Sequence, residues 1–448
     1  MESNHSTEPS SLFSLPPEII VIILSHLVTS NNYVPGRRYD DLIRATLSNS
    51  YIRQIGLATP SLWTRIEITD NPATFELAKA CLGRSGEQGL DIVIRIAFRV
   101  GDKLPGVFAL VKHVAGRTRE LRLRIGLGKP IQWEQLNDFL AALQVPALEC
   151  LALEFWDPRE VGSSTRLITL PSGAGRLRSV SLVYLRPILP SPAICQLQHI
   201  SLCSETFENW PLEHLWNILA QTERLETLEL IGQGTTDNVR STLPFKNRTE
   251  PAAVTPTLRR LAISGFDSGL LAYMLLNLEA PNLEEVSLVI LGFKDTWTAR
   301  YPWLDVIAIH SIPSVSTLEV SFLPRISPVV AAPFPKFLRR TFPNIEHLSL
   351  SRYTATIFLP FWTDILEDAD ALPPASCWPL LRRLTVTGSD ESCESSCLEK
   401  LKICRRFLAL RAKRSLPALD AVSLYLCPKT RENPQYESLM SDVSQLLN

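Results

Sequence analysis

Apolar residues recur along this chain in the spacing Leu-x-x-Leu-x-Leu, with Ile and Val allowed, and no other property narrows the possible folds as far. Complete copies run Leu148/Leu151/Leu153, Leu177/Val180/Leu182, Leu197/Ile200/Leu202, Leu225/Leu228/Leu230 and Leu258/Leu261/Ile263. They continue as Leu283/Val286/Leu288, Val315/Leu318/Val320, Ile345/Leu348/Leu350, Leu381/Leu384/Val386 and Leu419/Val422/Leu424. Leu121 and Leu123 read as an earlier copy, and weaker ones stand at Ile94/Ile96 and Trp63/Ile66/Ile68. Middle positions from Leu121 onward fall at 121, 151, 180, 200, 228, 261, 286, 318, 348, 384 and 422, so the gaps run from 20 to 38 and average close to 30. A period in this range marks units that bury their apolar face only by stacking on neighbours. The last two apolar positions of each copy alternate, which predicts a short strand pointing both inward. In seven of the ten complete copies Pro stands two residues before the first apolar position: Pro146, Pro256, Pro281, Pro313, Pro343, Pro379 and Pro417. Proline there steers the preceding residue away from helix and sets up an extended entry.

Helix-compatible stretches at 133–143, 212–219 and 270–278 separate the strands. Strand plus helix per unit, about eleven to thirteen times, describes an α/β fold. Its form is an irregular leucine-rich-repeat solenoid over residues 64–448, with parallel strands on the concave side and helices outside. An ordinary α/β domain with Leu-rich strands is the plain alternative; the repeated register and the recurring Pro count against it. Such repeats usually carry Asn or Cys three residues past the last Leu. Here the slot holds Trp156, Leu185, Glu205, Gln233, Phe266, Leu291, Tyr353 and Ser389, with Cys427 the lone match. Polar, poorly patterned insertions at 233–257 and 387–396 read as mobile loops.

The N-terminal segment breaks from the repeat. Leu15-Pro16-Pro17-Glu18 runs into six consecutive apolar residues, Ile19 to Leu24. Pro16 and Pro17 suit a first helical turn, where a missing N–H costs nothing, and Glu18 sits near the positive end of the dipole, so the run reads as helix. Ile19, Ile23 and Leu27 mark one face; Ile20, Leu24 and Val28 mark another. A helix apolar on both faces must be buried on both, and the small polar block that follows cannot cover both. The segment reads as a docking element, with one face for its own domain and one for a partner.

Composition excludes more than it identifies. A chain of 448 residues can bury a large core, and a net charge of −1 creates no global field toward nucleic acid or an anionic membrane. Nine cysteines, an odd number without framework spacing, fit a reducing compartment. Residues 1–11 are polar, read as a disordered tail, and lack the basic start and apolar stretch of a signal peptide. No apolar run approaches the roughly 18–20 residues of a membrane span. The expected location is cytoplasm or nucleus, without membrane contact. Cys393, Cys397 and Cys404 lack zinc-knuckle spacing and a nearby His, and the sequon Asn247-Arg248-Thr249 carries no weight without a secretory signal. Gly-rich phosphate loops, Gly-x-Ser-x-Gly elbows and His-Glu-x-x-His are all missing. No catalytic residue, cofactor or metal site is assigned, and a non-catalytic role is expected.

Leu15-Pro16-Pro17-Glu18-Ile19-Ile20, followed by Ile23 and Leu27, resembles the first helix of an F-box. Asp41-Leu42-Ile43-Arg44-Ala45-Thr46-Leu47-Ser48 resembles its second helix, and Tyr51 to Ile55 with Thr59-Pro60-Ser61-Leu62-Trp63 resembles its third helix and exit. Ala80-Cys81-Leu82-Gly83-Arg84-Ser85-Gly86 with Leu90-Asp91-Ile92 is similar to a stretch typical of fungal F-box proteins with degenerate leucine-rich repeats. The likeness spans residues 12–98 by motif and the remainder by architecture. Tyr51 stands where that family usually carries Trp, and 29–39 is a longer first connection. The resemblance implies an F-box over residues 12–63 that docks on a Skp-type adaptor of an SCF-type cullin–RING ubiquitin ligase, while the repeats hold a protein substrate. Catalysis would belong to the ligase, and this chain would raise the local concentration of a substrate lysine. Implied adaptor contacts are Leu15, Pro16, Ile19, Ile23 and Leu27, with Leu42 and Leu47 helping. A ligase-independent interaction scaffold with a vestigial or repurposed F-box is the other reading.

Strand alternation also names the side chains facing away from the core: Ala152, Ser181, Ser201, Glu229, Ala262, Ser287, Glu319, Ser349, Thr385 and Ser423. This small, polar row fits a tight concave sheet or a shallow recognition face. Flanking residues His199, Arg260, Glu285, His347, Arg383 and Tyr425 are better able to discriminate a partner and are the candidate substrate contacts. Lys400, Lys402, Arg405, Arg406, Arg411, Lys413 and Arg414 surround Leu401, Cys404, Phe407 and Leu408 at helical spacing, which reads as a solvated outer helix. Binding of an acidic partner, a phosphorylated segment or nucleic acid is the competing reading of that stretch, although no nucleic-acid partner is expected for the chain as a whole.

Overall fold

The computed structural model describes residues 15–30, 39–96, 104–126, 130–156, 166–171, 173–188, 193–204, 212–232, 253–266, 271, 274–275, 277–290, 311–322, 333–353, 378–388, 394–425 and 433–447. The insertions expected as loops fall largely at 233–252 and 389–393, outside the described residues. The chain divides into two compact units, Met1–Ala193 and Ile194–Asn448. The first opens with α1 (Pro17–Ser30), α2 (Asp40–Ser48), α3 (Ser50–Ala58) and a 3-10 turn, Pro60–Trp63. It continues through β1 (Arg65–Thr69), α4 (Pro72–Arg84), β2 (Leu90–Ile96), α5 (Leu104–Val114), β3 (Thr118–Gly126), α6 (Pro130–Ala141) and β4 (Cys150–Trp156). Then come β5 (Arg166–Ile168), β6 (Ser179–Val183) and β7 (Leu185–Pro187). Its sheet runs β1-β2-β3-β4-β6, every pair parallel, with β5 and β7 paired beside it.

The second unit holds β8 (His199–Ser204), α7 (Leu212–Gln221), β9 (Thr227–Gly232), β10 (Ala253–Val254), β11 (Arg260–Phe266), β12 (Leu278–Glu279), β13 (Glu285–Ile290) and β14 (Thr317–Phe322). It ends with α8 (Pro333–Thr341), β15 (His347–Tyr353), β16 (Arg383–Gly388), α9 (Glu394–Lys413), β17 (Ala421–Tyr425) and α10 (Pro434–Leu447). Its sheet runs β8-β9-β11-β13-β14-β15-β16-β17, again parallel, with β10 and β12 as a side pair. The fold is therefore mixed α/β built on parallel strands. Among the described residues no helix is long and apolar enough to cross a membrane.

Register follows the apolar repeat. Leu228, Leu261, Val286, Leu318, Leu348 and Leu384 stand opposite one another on successive strands, and all are buried. One early copy is shifted. Ile92 pairs with Leu121 and Ile94 with Leu123, so these two hold the register of the repeat, and Ile96, also buried, stands one step further on opposite Ile125. At Gly265 the backbone has φ +78, and a side chain there would collide with the carbonyl of Gly232 on the neighbouring strand, so glycine is required.

The recurring Pro does more than extend the chain. It occupies the second position of a turn closed onto the first apolar residue: Leu148 N donates to Val145 O (3.0 Å), Leu258 N to Thr255 O (3.2 Å), Leu283 N to Ala280 O (3.2 Å) and Leu381 N to Trp378 O (3.0 Å). Proline pre-sets the φ that this position needs. After each turn, one carbonyl takes two N–H groups from the next copy. Glu226 O accepts from Arg259 N and Arg260 N, Arg259 O from Glu284 N and Glu285 N, and Glu284 O from Ser316 N and Thr317 N. The residue between Pro and the first apolar position adds a side-chain rung. Asn282 Nδ2 donates to Pro256 O (2.7 Å), Asn344 Nδ2 to Pro313 O (3.0 Å) and Thr257 Oγ1 to Leu225 O (2.9 Å). These rungs satisfy carbonyls ahead of the strand, while the slot past it holds apolar Leu185 and Phe266, both buried.

The basic stretch is a helix, α9, but not a wholly solvated one. Leu401, Cys404, Phe407 and Leu408 form its buried face, and Lys400 and Arg411 are fully buried with them. Arg411 Nη1 donates to Trp378 O (2.9 Å), and its Nη2 donates to Leu381 O (3.0 Å) and Pro417 O (3.0 Å). These carbonyls lie at the turns entering β16 and β17, so the cation ties the helix to the end of the sheet. Arg405 instead pairs with Asp442 of α10 at 3.0 Å, and Lys402 with Glu399 at 2.7 Å.

Two buried thiols give a pH signature. Burial pushes Cys81 up to about 11 and Cys404 up to about 12, with Arg84 and Lys400 respectively working against it. A thiol that stays protonated in the fold but ionises near 9 when unfolded stabilises fully below pH 9. Above that the unfolded state holds fewer protons, so stability falls by about 1.4 kcal/mol per pH unit for each thiol until the folded value is reached. Urea unfolding followed between pH 8 and about 11 should show this slope. Cys404→Ala should remove its share of the slope, whatever it does to the absolute stability.

Candidate docking and recognition surfaces

The run Ile19-Ile20-Val21-Ile22-Ile23 is β-branched and each such residue costs a few tenths of a kcal/mol in a helix. Burial offsets that cost: Ile20, Leu24 and Val28 are buried, each worth about 1.5–3 kcal/mol. Pro16 O closes the first turn by accepting from Ile19 N (3.1 Å) and Ile20 N (3.2 Å). The remaining apolar residues of α1 face outward. Ile19 is 42% and Ile22 53% exposed, Pro16 is exposed, and Leu15, Ile23 and Leu27 are half-buried. Leu47, at the end of α2, is 66% exposed.

Leu42 departs from its expected place. It is fully buried beside Thr46 on the inner face of α2, so its side chain stabilises the helical block and offers nothing to a partner. Ile22 was not among the expected contacts because it falls outside the i, i+4 row through Ile19. Its i+3 spacing from Ile19 is the signal that names it.

Local bonds hold this block in shape. Asn49 Oδ1 caps α3 by accepting from Tyr51 N (2.7 Å) and Ile52 N (3.2 Å), and Arg53 Nε donates to Thr46 O at 2.9 Å. A Cβ on Gly56 would meet Thr46 Cγ2 at 2.8 Å, so α2 and α3 approach closely there. Trp63, fully buried, donates from Nε1 to Gly56 O at 2.8 Å. Its ring stacks on Tyr39 with centroids 5.7 Å apart, and the Arg84 guanidinium lies 4.5 Å from its centre. The Tyr39 hydroxyl donates to Arg65 O. Through these contacts the helices are joined to β1 and α4.

The second surface is the outward face of the second unit's sheet. His199, Thr227, Arg260, Glu285, Thr317, His347, Arg383 and Ala421 stand opposite one another across its strands. Five of the six candidate contacts therefore share one row. Tyr425, 64% exposed, lies at the far end of β17 opposite Thr387, in a different row. Two candidates neutralise each other: Arg260 Nε sits 3.0 Å from Glu285 Oε2. The next row is the small, polar one, Ser201-Glu229-Ala262-Ser287-Glu319-Ser349-Thr385-Ser423.

The first unit's sheet face is chemically different. Ion pairs cross it: Arg95–Glu67 at 3.0 Å, Arg119–Asp91 at 3.3 Å, Arg124–Glu154 at 3.2 Å, and Arg122 with Glu120. Burial raises the Asp91 carboxyl, against the pull of Arg119. The signal missed in the sequence is the outward series Glu120, Arg122 and Arg124 along β3. Among the described residues no group of three or more His, Cys, Asp or Glu side chains is arranged to hold a metal ion. No protein-family model matches the chain, and no curated protein matches it.

Proposed function

We propose that this chain is the substrate-recognition subunit of an SCF-type cullin–RING ubiquitin ligase. In this reading α1, α2 and α3 form an F-box that docks on a Skp-type adaptor. The parallel strands and their helices form an irregular leucine-rich-repeat solenoid that holds a protein substrate. The observation that carries the reading is the outer side of α1, where Ile19 and Ile22 remain exposed although Ile20, Leu24 and Val28 already fill the inner side. An apolar surface of that kind on a small helical block marks a place where a partner sits. Leu15, Pro16, Ile23, Leu27 and Leu47 extend the patch; Leu42 supports it from inside.

The test is affinity purification of the full chain beside its Ile19→Ala/Ile22→Ala variant, with the proteasome blocked. Truncating interface anchors costs about 1–2 kcal/mol each, so the complex should weaken by about five- to thirty-fold per residue, and adaptor and cullin recovery should fall accordingly. Circular dichroism should be unchanged, because neither side chain belongs to the core. Equal recovery from both proteins sinks the proposal. Adaptor without cullin would favour the ligase-independent scaffold instead.

A further inference from the structure

We infer that the outward sheet face of the second unit takes an extended basic segment carrying two Lys or Arg side chains four residues apart. The inference rests on the reading of this face as the substrate surface. Glu229 on β9 and Glu319 on β14 occupy the same cross-strand row, with β11 and β13 between them. Three strand spacings separate them, about 14 Å. An extended chain crossing the strands covers that distance in about four residues, and an even step points both cations to the same side.

Charge singles out these two residues. The other carboxylates within the described strands of the main sheet each have a guanidinium: Glu67, Asp91, Glu120 and Glu154 in the first unit and Glu285 in the second. Glu229 and Glu319 have no cation among the described residues; Glu319 accepts only from Ser287 Oγ, at 3.3 Å. Ala262 and Ser287 between them are small, so a backbone can approach the sheet. Ile231 and Val289, half-buried in the adjoining row, offer apolar footing to the residues between the cations. An acidic occupant would meet like charge at both positions, whereas a basic one completes both pairs.

Fluorescence anisotropy on the full chain tests this with labelled Ser/Ala peptides carrying two lysines four residues apart, two residues apart, or two glutamates four residues apart. The four-residue lysine peptide should bind about three-fold tighter than the two-residue one, which can complete only one of the two exposed pairs, and about ten-fold tighter than the glutamate peptide, and both gains should shrink with salt. Glu229→Gln/Glu319→Gln, a near-isosteric change of exposed and half-exposed side chains, should erase the preference without changing the melting curve. Equal binding of the two lysine spacings, undiminished preference in the double Gln variant, or no binding of any peptide overturns the inference. Adaptor capture measured on the same preparations separates the cases. Capture with no peptide preference sinks this inference alone, and lost capture sinks the ligase reading.

Discussion

Arg411→Met should destabilise the second unit by about 3–5 kcal/mol. The guanidinium is fully buried and donates to three backbone carbonyls; Trp378 O keeps the turn bond from Leu381 N, whereas Leu381 O and Pro417 O lose this donor. Methionine preserves much of the volume, so the loss is not mainly a cavity. It is the cost of leaving buried acceptors unsatisfied, about 1–3 kcal/mol each when water cannot reach them. Lysine keeps the charge but cannot span three acceptors with a planar fork, so Arg411→Lys should recover only part of the loss. With two compact units a single unfolding midpoint is ambiguous, and amide hydrogen exchange at 381–388 and 417–425 is the sharper readout. Arg406→Met, an exposed position on the same helix, should stay within about 0.5 kcal/mol. A loss below about 1 kcal/mol at Arg411 would mean that water replaces the guanidinium.

Trp63→Ala should cost the first unit about 3–5 kcal/mol, the range for a buried aromatic truncated to Ala. Three contacts go at once: the stack on Tyr39, the Arg84 cation over the ring and the Nε1 bond to Gly56 O. Trp63→Phe keeps an aromatic ring and forfeits the hydrogen bond and some area, so about 1–2 kcal/mol is expected. The side chain joins the helical block to β1 and α4, so its loss should also open the neighbourhood of Cys81. Iodoacetamide labelling of Cys81, slow in the wild type because the thiol is buried and held protonated, should accelerate markedly in Trp63→Ala and modestly in Trp63→Phe. Labelling of exposed Cys195 should not change. A first unit that unfolds at the same urea concentration with or without Trp63 would refute the assigned role.

What could be read in advance was what repeats locally. Alternation at Leu228/Leu230 or Leu348/Leu350 announces a strand with one buried side because both residues lie on the same strand and meet the same core. Pro17 and Glu18 announce a helix start for the same local reason. The α1 faces were also visible, but which residues stay outside was not. Ile22 stays exposed and Leu42 is buried where α2 and α3 pack, with Gly56 against Thr46, a contact between segments that no spacing rule on α1 contains.

The sequence by itself determined that this chain is α/β, where its inward residues lie, and that its N-terminal helix is apolar on two sides. Only the tertiary structure decided how the copies align. Ile92 and Ile94 take the register of Leu121 and Leu123, the recurring Pro closes a turn, and Asn282 and Asn344 carry polar rungs ahead of the strand. It also buried Lys400 and Arg411 inside a stretch that looks solvated, and, among the described residues, left Glu229 and Glu319 without cations while pairing Arg260 with Glu285. The reason is one of range. Periodicity records what a residue's own strand or helix requires, whereas burial of a charge or its pairing depends on groups about thirty residues away, brought adjacent by stacking and recorded in no local pattern.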